Sequence, residues 1–267
     1  MRYIYLSPHL DDAVLSAGGL IYEQSRAGIP VEIWSFMCGF PPDEELSPLA
    51  QALHYQWGTT GAEETIRIRR AEDKRAGEIV GAKTVHFDFL DCIYRRGKDG
   101  GWLYSDVFAP LHEAEADLPA QIAQVMVAWL KPDDVVVCQL AVGSHVDHVL
   151  VRKAAEMLGR PLMFDADIPY LLNHPDELEP KTARMKESLL TVSEAGFGSW
   201  LEAAEAYASQ IGTLFESQDV MRDRMRGYWS EREGIRLWRF GQAAASATHV
   251  AEVGDGNTTL LSPEGGS

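Results

Sequence analysis

Tyr3-Ile4-Tyr5-Leu6-Ser7-Pro8-His9-Leu10-Asp11-Asp12-Ala13-Val14-Leu15-Ser16-Ala17-Gly18-Gly19 changes character twice. Residues 3–6 form a β-branched and aromatic run, Ser7-Pro8 breaks it into polar chemistry, and small and apolar residues then open a helical pattern reaching residue 28. A strand that feeds a helix through a short polar turn is the first half of a βαβ unit. The pattern recurs downstream, with strand-like runs at 31–38, 83–90, 135–140 and 161–164 and helical patterns at 62–82, 118–131 and 148–160. Such alternation predicts an α/β fold: a single Rossmann-like three-layer domain with a mainly parallel sheet and helices on both faces. VVVCQL, residues 135–140, is nearly all apolar, as a central strand buried on both sides must be. Another helical stretch, 199–215, precedes EGIRLWRF. The domain is expected to span 1–242, and 243–267, small and polar, to be a flexible tail.

Forty acidic against 24 basic residues give a formal net charge of -16, which repels phosphate backbones and anionic membrane surfaces. Neither nucleic acid nor a membrane is an expected partner; a small molecule is, and a homo-oligomer is open. No apolar run approaches the roughly 20 residues that cross a bilayer, and the N-terminal apolar stretch is too short for a secretion signal, so the expected location is cytoplasmic. Cys38, Cys92 and Cys138 show no paired spacing and read as free thiols.

Two connections, Gly39–Gly61 and Cys92–Asp117, are longer than a compact domain needs, and both leave strand C-terminal ends. In the first, Ser47-Pro48 reads as the capped start of a short helix that forms part of a lid. Trp57, Trp102 and Tyr104 on these insertions either stack on a sugar or anchor the loops. Arg95 and Arg96 read better as a solvated pair than as an anion clamp. Gly18-Gly19 lacks a phosphate-loop pattern and reads as close packing of the helix on the sheet.

The chemistry concentrates at two places. His9-Leu10-Asp11-Asp12 follows the first strand, and His145-Val146-Asp147-His148 follows the 135–140 strand. Open parallel sheets bind ligands beyond their carboxyl ends, so the two clusters face one crevice if the strands are neighbours. Alone, an Asp pair before a helix reads as a cap, and His-x-x-His as surface polarity. Together, His9, Asp12 and His148 match the three protein ligands of a catalytic zinc with one position open. Asp11 is left to act as base toward the water that such an ion acidifies, while His145 faces substrate. The same two-His, one-carboxylate set also suits iron(II), so a non-haem iron enzyme is an alternative, as is zinc hydrolysis of a non-sugar amide or ester.

At these residues the sequence resembles the LmbE-like, or PIG-L, family of N-deacetylases. SPHLDDAVLSAGG is similar to its first signature and HVDH to its second, and the likeness runs through Arg69-Arg70-Ala71-Glu72 toward LWRF near residue 240. The resemblance implies one zinc ion held by His9, Asp12 and His148, with Asp11 as general base and His145 as acid or oxyanion donor. It further implies that Asp147 orients a histidine and that Arg69 and Asp91 contact substrate, with Asp88 a rival for Asp91. The expected reaction is removal of an N-acetyl group from an amino-sugar (GlcNAc-like) conjugate. Leu10 and Ala13 depart from the commonest family pattern, which bears on substrate more than on chemistry.

Overall fold

The computed structural model describes residues 1–42 and 45–241, so the tail expected over 243–267 lies outside the described residues. In chain order the elements are β1 (Arg2–Ser7), α1 (Asp12–Arg26), β2 (Val31–Ser35), α2 (Pro48–Trp57), α3 (Ala62–Val80) and β3 (Lys83–His86). They continue as α4 (Leu118–Trp129), β4 (Asp134–Gln139), α5 (Val146–Glu156), β5 (Leu162–Asp165), α6 (Tyr170–Asn173) and α7 (Leu178–Thr182). The chain then forms β6 (Met185–Thr191), α8 (Glu194–Glu205), α9 (Ala208–Phe215), α10 (Gln218–Ser230) and β7 (Gly234–Phe240).

The sheet order is β3-β2-β1-β4-β5-β7-β6, with the first five strands parallel and β7 antiparallel to both neighbours. β1 therefore lies between β2 and β4, where the chain reverses its direction of travel across the sheet. Alternate side chains of these strands feed two cores, as a period of two requires. Ile4, Leu6, Val136 and Cys138 join the core under α4 and α5, while Tyr5, Ile33 and Val137 join that under α1, α3 and α8. Three layers follow directly.

Three expectations change. The strands expected to reach residues 38 and 90 end at Ser35 and His86, because beyond them Met37 donates its N–H to Pro8 and forms an isolated antiparallel bridge with Asp88 in place of the parallel ladder. The helix expected over 199–215 is two helices, α8 and α9, broken at Ala206-Tyr207, where Tyr207 turns its hydroxyl onto Asp73 at 2.8 Å. Gly18 and Gly19 do serve close packing, but against α8 and the residue leading into it: a Cβ on Gly18 would lie 2.6 Å from Trp200 Cδ1, and one on Gly19 2.7 Å from Val192 Cγ1. Any side chain at Gly18 would drive the fully buried Trp200 out of its place, where its indole N–H donates to the α1 carbonyl of Val14.

Candidate active site

Adjacent placement of β1 and β4 brings both polar clusters to one crevice. After β1, Ser7 accepts the N–H of Ala13 at 3.0 Å, closing the start of α1. Asp11 holds the N-cap position but makes no capping bond, which leaves its carboxylate free. Asp12 turns back instead, accepting the N–H of His9 at 2.7 Å and lying 3.2 Å from His9 Nδ1. After β4, Ala141, Gly143 and Ser144 all adopt positive φ, a conformation costing about 1–3 kcal/mol for each non-glycine residue. This contorted turn delivers His145 as the N-cap of α5, with its Nδ1 accepting the N–H of Asp147 at 3.2 Å. The His145 and His148 rings end 5.1 Å apart, and His9 lies 4.7 and 5.3 Å from them.

His9 Nδ1 lies 3.2 Å from Asp12 Oδ2 and His148 Nε2 lies 3.3 Å from Asp12 Oδ1, so the carboxylate turns one oxygen toward each imidazole. Two imidazole nitrogens beside one carboxylate are the donor types that a catalytic zinc takes. His148 Nε2 is moreover buried and, although it lies 3.3 Å from Asp12 Oδ1, makes no hydrogen bond, which is costly for a buried polar atom. Each imidazole has its outer nitrogen on a carboxylate: His9 Nε2 lies 3.0 Å from Asp147 Oδ2, and His148 Nδ1 lies 2.9 Å from Asp167 Oδ1. Metal-binding histidines are oriented in this way. His9, His145 and His148 also offer nitrogens within 4.8 Å of one another, so His145 borders the same space.

The electrostatics ask for positive charge. Burial works against protonation of His148, yet the Asp12 and Asp167 carboxylates raise it to about 9. Asp12 and Asp147 likewise hold His9 well above the imidazole range against its burial. Asp12, despite burial, is held well below the carboxylate range by His148 and His9. His145 goes the other way, lowered by burial and by the charges of His9 and His148. Burial and the charge of Asp12 push Asp11 up to about 6, opposed by Arg69.

Arg69, buried on α3, places Nη2 3.6 Å from Asp11 and Nη1 4.0 Å from Asp91, and its guanidinium lies 5.0 Å from the Trp57 ring centroid. Asp91 Oδ2 is also 3.8 Å from His9 Nε2. Asp88 instead points outward to Arg70 at 2.7 Å, so Asp91 is the one at the crevice. The reading of Arg95 as solvated is corrected: it is buried, pairing with Asp147 at 2.5 Å and with Glu115 at 2.5 Å. Arg96 covers the Trp102 ring at 3.4 Å, and Tyr104 is buried with its hydroxyl donating to Glu115, so both aromatics anchor their loop. Asp167 escaped notice in the sequence. The signal was the Asp165-Ala166-Asp167 run, which leaves β5 at the same carboxyl edge as the two motifs.

The PIG-L family model, described as GlcNAc-PI de-N-acetylase, matches residues 4–158. The chain belongs to the PIG-L family. Both site motifs and the Arg69 helix fall inside the PIG-L match, whereas Asp167 and the antiparallel β7 lie beyond it. The 2'-N-acetylparomamine deacetylase of Niallia circulans is 23% identical over 275 residues, covering 89% of this chain and 93% of that protein. That of Streptomyces fradiae is 27% identical over 252 residues, covering 91% and 83%. The zinc-inhibited form of the teicoplanin deacetylase Orf2 superposes with a TM-score of 0.77 at 26% identity, over 90% of this chain and 97% of that one. Like these relatives, the PIG-L chain described here carries its deacetylase signatures on a three-layer α/β fold; none of its helices among the described residues is long and apolar enough to cross a membrane.

Proposed function

We propose that this protein is a zinc-dependent N-deacetylase that releases acetate from an N-acetylated amino-sugar conjugate. The observation that carries the reading is the buried His148 Nε2, which makes no hydrogen bond, beside Asp12 and His9, with the carboxylate of Asp11 adjacent and not consumed as a helix cap. His9, Asp12 and His148 would hold the ion, one per chain. When bound, it supplies Lewis acidity, acidifying water and polarising the amide carbonyl.

The chain's own groups do the rest. Asp11 takes the proton as water oxygen bonds to the carbonyl carbon, and Arg69 keeps that carboxylate ionised and aimed. The N–H of Asp147 occupies His145 Nδ1, so a neutral His145 carries its hydrogen on Nε2 and offers it as a hydrogen bond to the oxyanion, without transferring it. A protonated resting His145, which an acid role would need, is disfavoured by its burial among other imidazoles. One such donor is typically worth about 3–4 kcal/mol in the transition state. Asp11 then returns its proton to the departing nitrogen as the C–N bond breaks, giving acetate and a free amine. Asp91 and Arg69, at the rim of the crevice, would bind sugar hydroxyls. The amino-sugar assignment draws on the relatives, whose names specify acetylparomamine and teicoplanin.

The test is mass spectrometry of products from a panel of N-acetylated amino sugars and their conjugates, alongside O-acetyl esters and simple acetanilides. Loss of one acetyl group from the sugar amides is expected; turnover of the esters or anilides alone would overturn the assignment.

A further inference from the structure

The second insertion is tied to the site by buried contacts. Asp147, the carboxylate behind His9, is itself fully buried and held from the insertion side. The Cys92 N–H donates to its Oδ2 at 3.0 Å and Arg95 Nη1 to its Oδ1 at 2.5 Å. Arg95 is in turn fixed from behind: Nη1 also donates to the Leu90 carbonyl at 2.9 Å, Nη2 donates to Glu115 Oε2 at 3.2 Å, and Nε lies 2.5 Å from Glu115 Oε1. Glu115 accepts the Tyr104 hydroxyl at 2.6 Å, and that hydroxyl accepts the His112 N–H at 2.9 Å. A continuous buried chain of ionic and charge-assisted contacts therefore runs from His9 Nε2 through Asp147 and Arg95 to Glu115 and Tyr104.

We infer that Arg95 and Glu115 are positioning residues for His9, so that the insertion over 92–117 sets how tightly the centre binds its metal. The inference rests on the reading of His9 as a metal donor. Asp147 can orient the imidazole only if its own plane is fixed, and a planar guanidinium fork held on both sides is what fixes it. Loss of an outer-shell partner typically weakens metal binding by about 10- to 100-fold.

Zinc affinity of the full chain, measured by competition with a chromophoric chelator, and the visible spectrum of the cobalt(II) form test this, with the melting temperature of the metal-free protein taken alongside. In the double variant Arg95→Met with Glu115→Gln, Glu115 is not left as an unpaired buried charge and Tyr104 keeps an acceptor, while Asp147 loses Arg95 and keeps only its contacts with the Cys92 N–H and His9. Its zinc affinity is expected to fall by about 10-fold or more with an altered cobalt spectrum, and Arg95→Lys, which keeps the charge but loses the fork, to fall between it and wild type. Where the double variant does not fold, Arg95→Lys decides. Wild-type affinity and spectrum in the variants, even with a lowered melting temperature, would overturn the inference alone. A wild-type chain that takes up neither zinc nor cobalt would overturn the metal-centre reading and this inference with it.

Discussion

Asp11→Asn separates the catalytic from the structural demands on one side chain. In the metal-free protein burial and Asp12 raise the Asp11 pKa from 3.8 to about 6. A folded-state pKa above the unfolded one makes the ionised group a liability: stability is lost as pH rises from about 4 through 6 and stays lost above. The shift corresponds to roughly 3 kcal/mol at neutral pH. Asparagine removes that penalty but also weakens the pairing with Arg69 at 3.6 Å, so the net gain is smaller. For a chain this size, each kcal/mol moves the melting temperature by about 2–4 °C. Metal-free Asp11→Asn is therefore expected to melt a few degrees above wild type at pH 7.5 and level with it or below near pH 4. Its metal content should be unchanged, and with zinc its kcat should fall by about 10²-fold or more, the usual range for a lost general base. The assay pairs calorimetry of metal-free protein at the two pH values with kcat across a zinc titration. Retention of kcat within a few-fold, or rescue by added zinc, would refute the assignment of Asp11 as base.

Other outcomes follow from neighbouring geometry. Asp12→Asn, which replaces an anionic donor by a neutral one, should lose metal during dialysis and regain part of its activity in excess zinc; full metal retention would count against Asp12 as a donor. Asp167→Asn breaks the 2.9 Å contact behind His148 and should weaken zinc binding by about 10- to 100-fold, read by chelator competition. Arg69→Lys keeps a charge near Asp11 but cannot span to Asp91, so kcat/KM for sugar substrates should fall; equal kcat/KM would remove Arg69 from the substrate site.

The five strands and the two motifs at their ends were legible because each rests on a local pattern, an apolar run followed by a polar break and a helix, whereas the meeting of the motifs hung on the pairing of β1 with β4, which only the fold supplies. β6 was not, since Met185-Lys186-Glu187-Ser188 is a polar, largely exposed strand at the sheet edge, with none of the burial that marks a strand in sequence. EGIRLWRF was noticed, but its antiparallel pairing as β7 depends on a return through α8, α9 and α10 that no local signal encodes. The inner donors stood out because metal chemistry restricts residue type. Their supports did not: Asp167 and the Arg95–Glu115 pair act through contacts 19 to 52 residues away in sequence, where an Asp or an Arg-Arg pair looks like ordinary surface charge. Asp11 reads from sequence as the spare carboxylate beside Asp12, and the fold adds why it is not consumed as a cap: Ser7 closes the start of α1.

The central claim is that one divalent ion, held by His9, Asp12 and His148, is required for amide hydrolysis. Its most direct test is acetate release from an N-acetylated amino sugar by metal-stripped protein titrated with zinc. Wild type is expected to rise from near zero and break at one equivalent, while the variant with all three residues changed to Ala stays flat. Activity that survives stripping, or a triple variant that titrates like wild type, would contradict it.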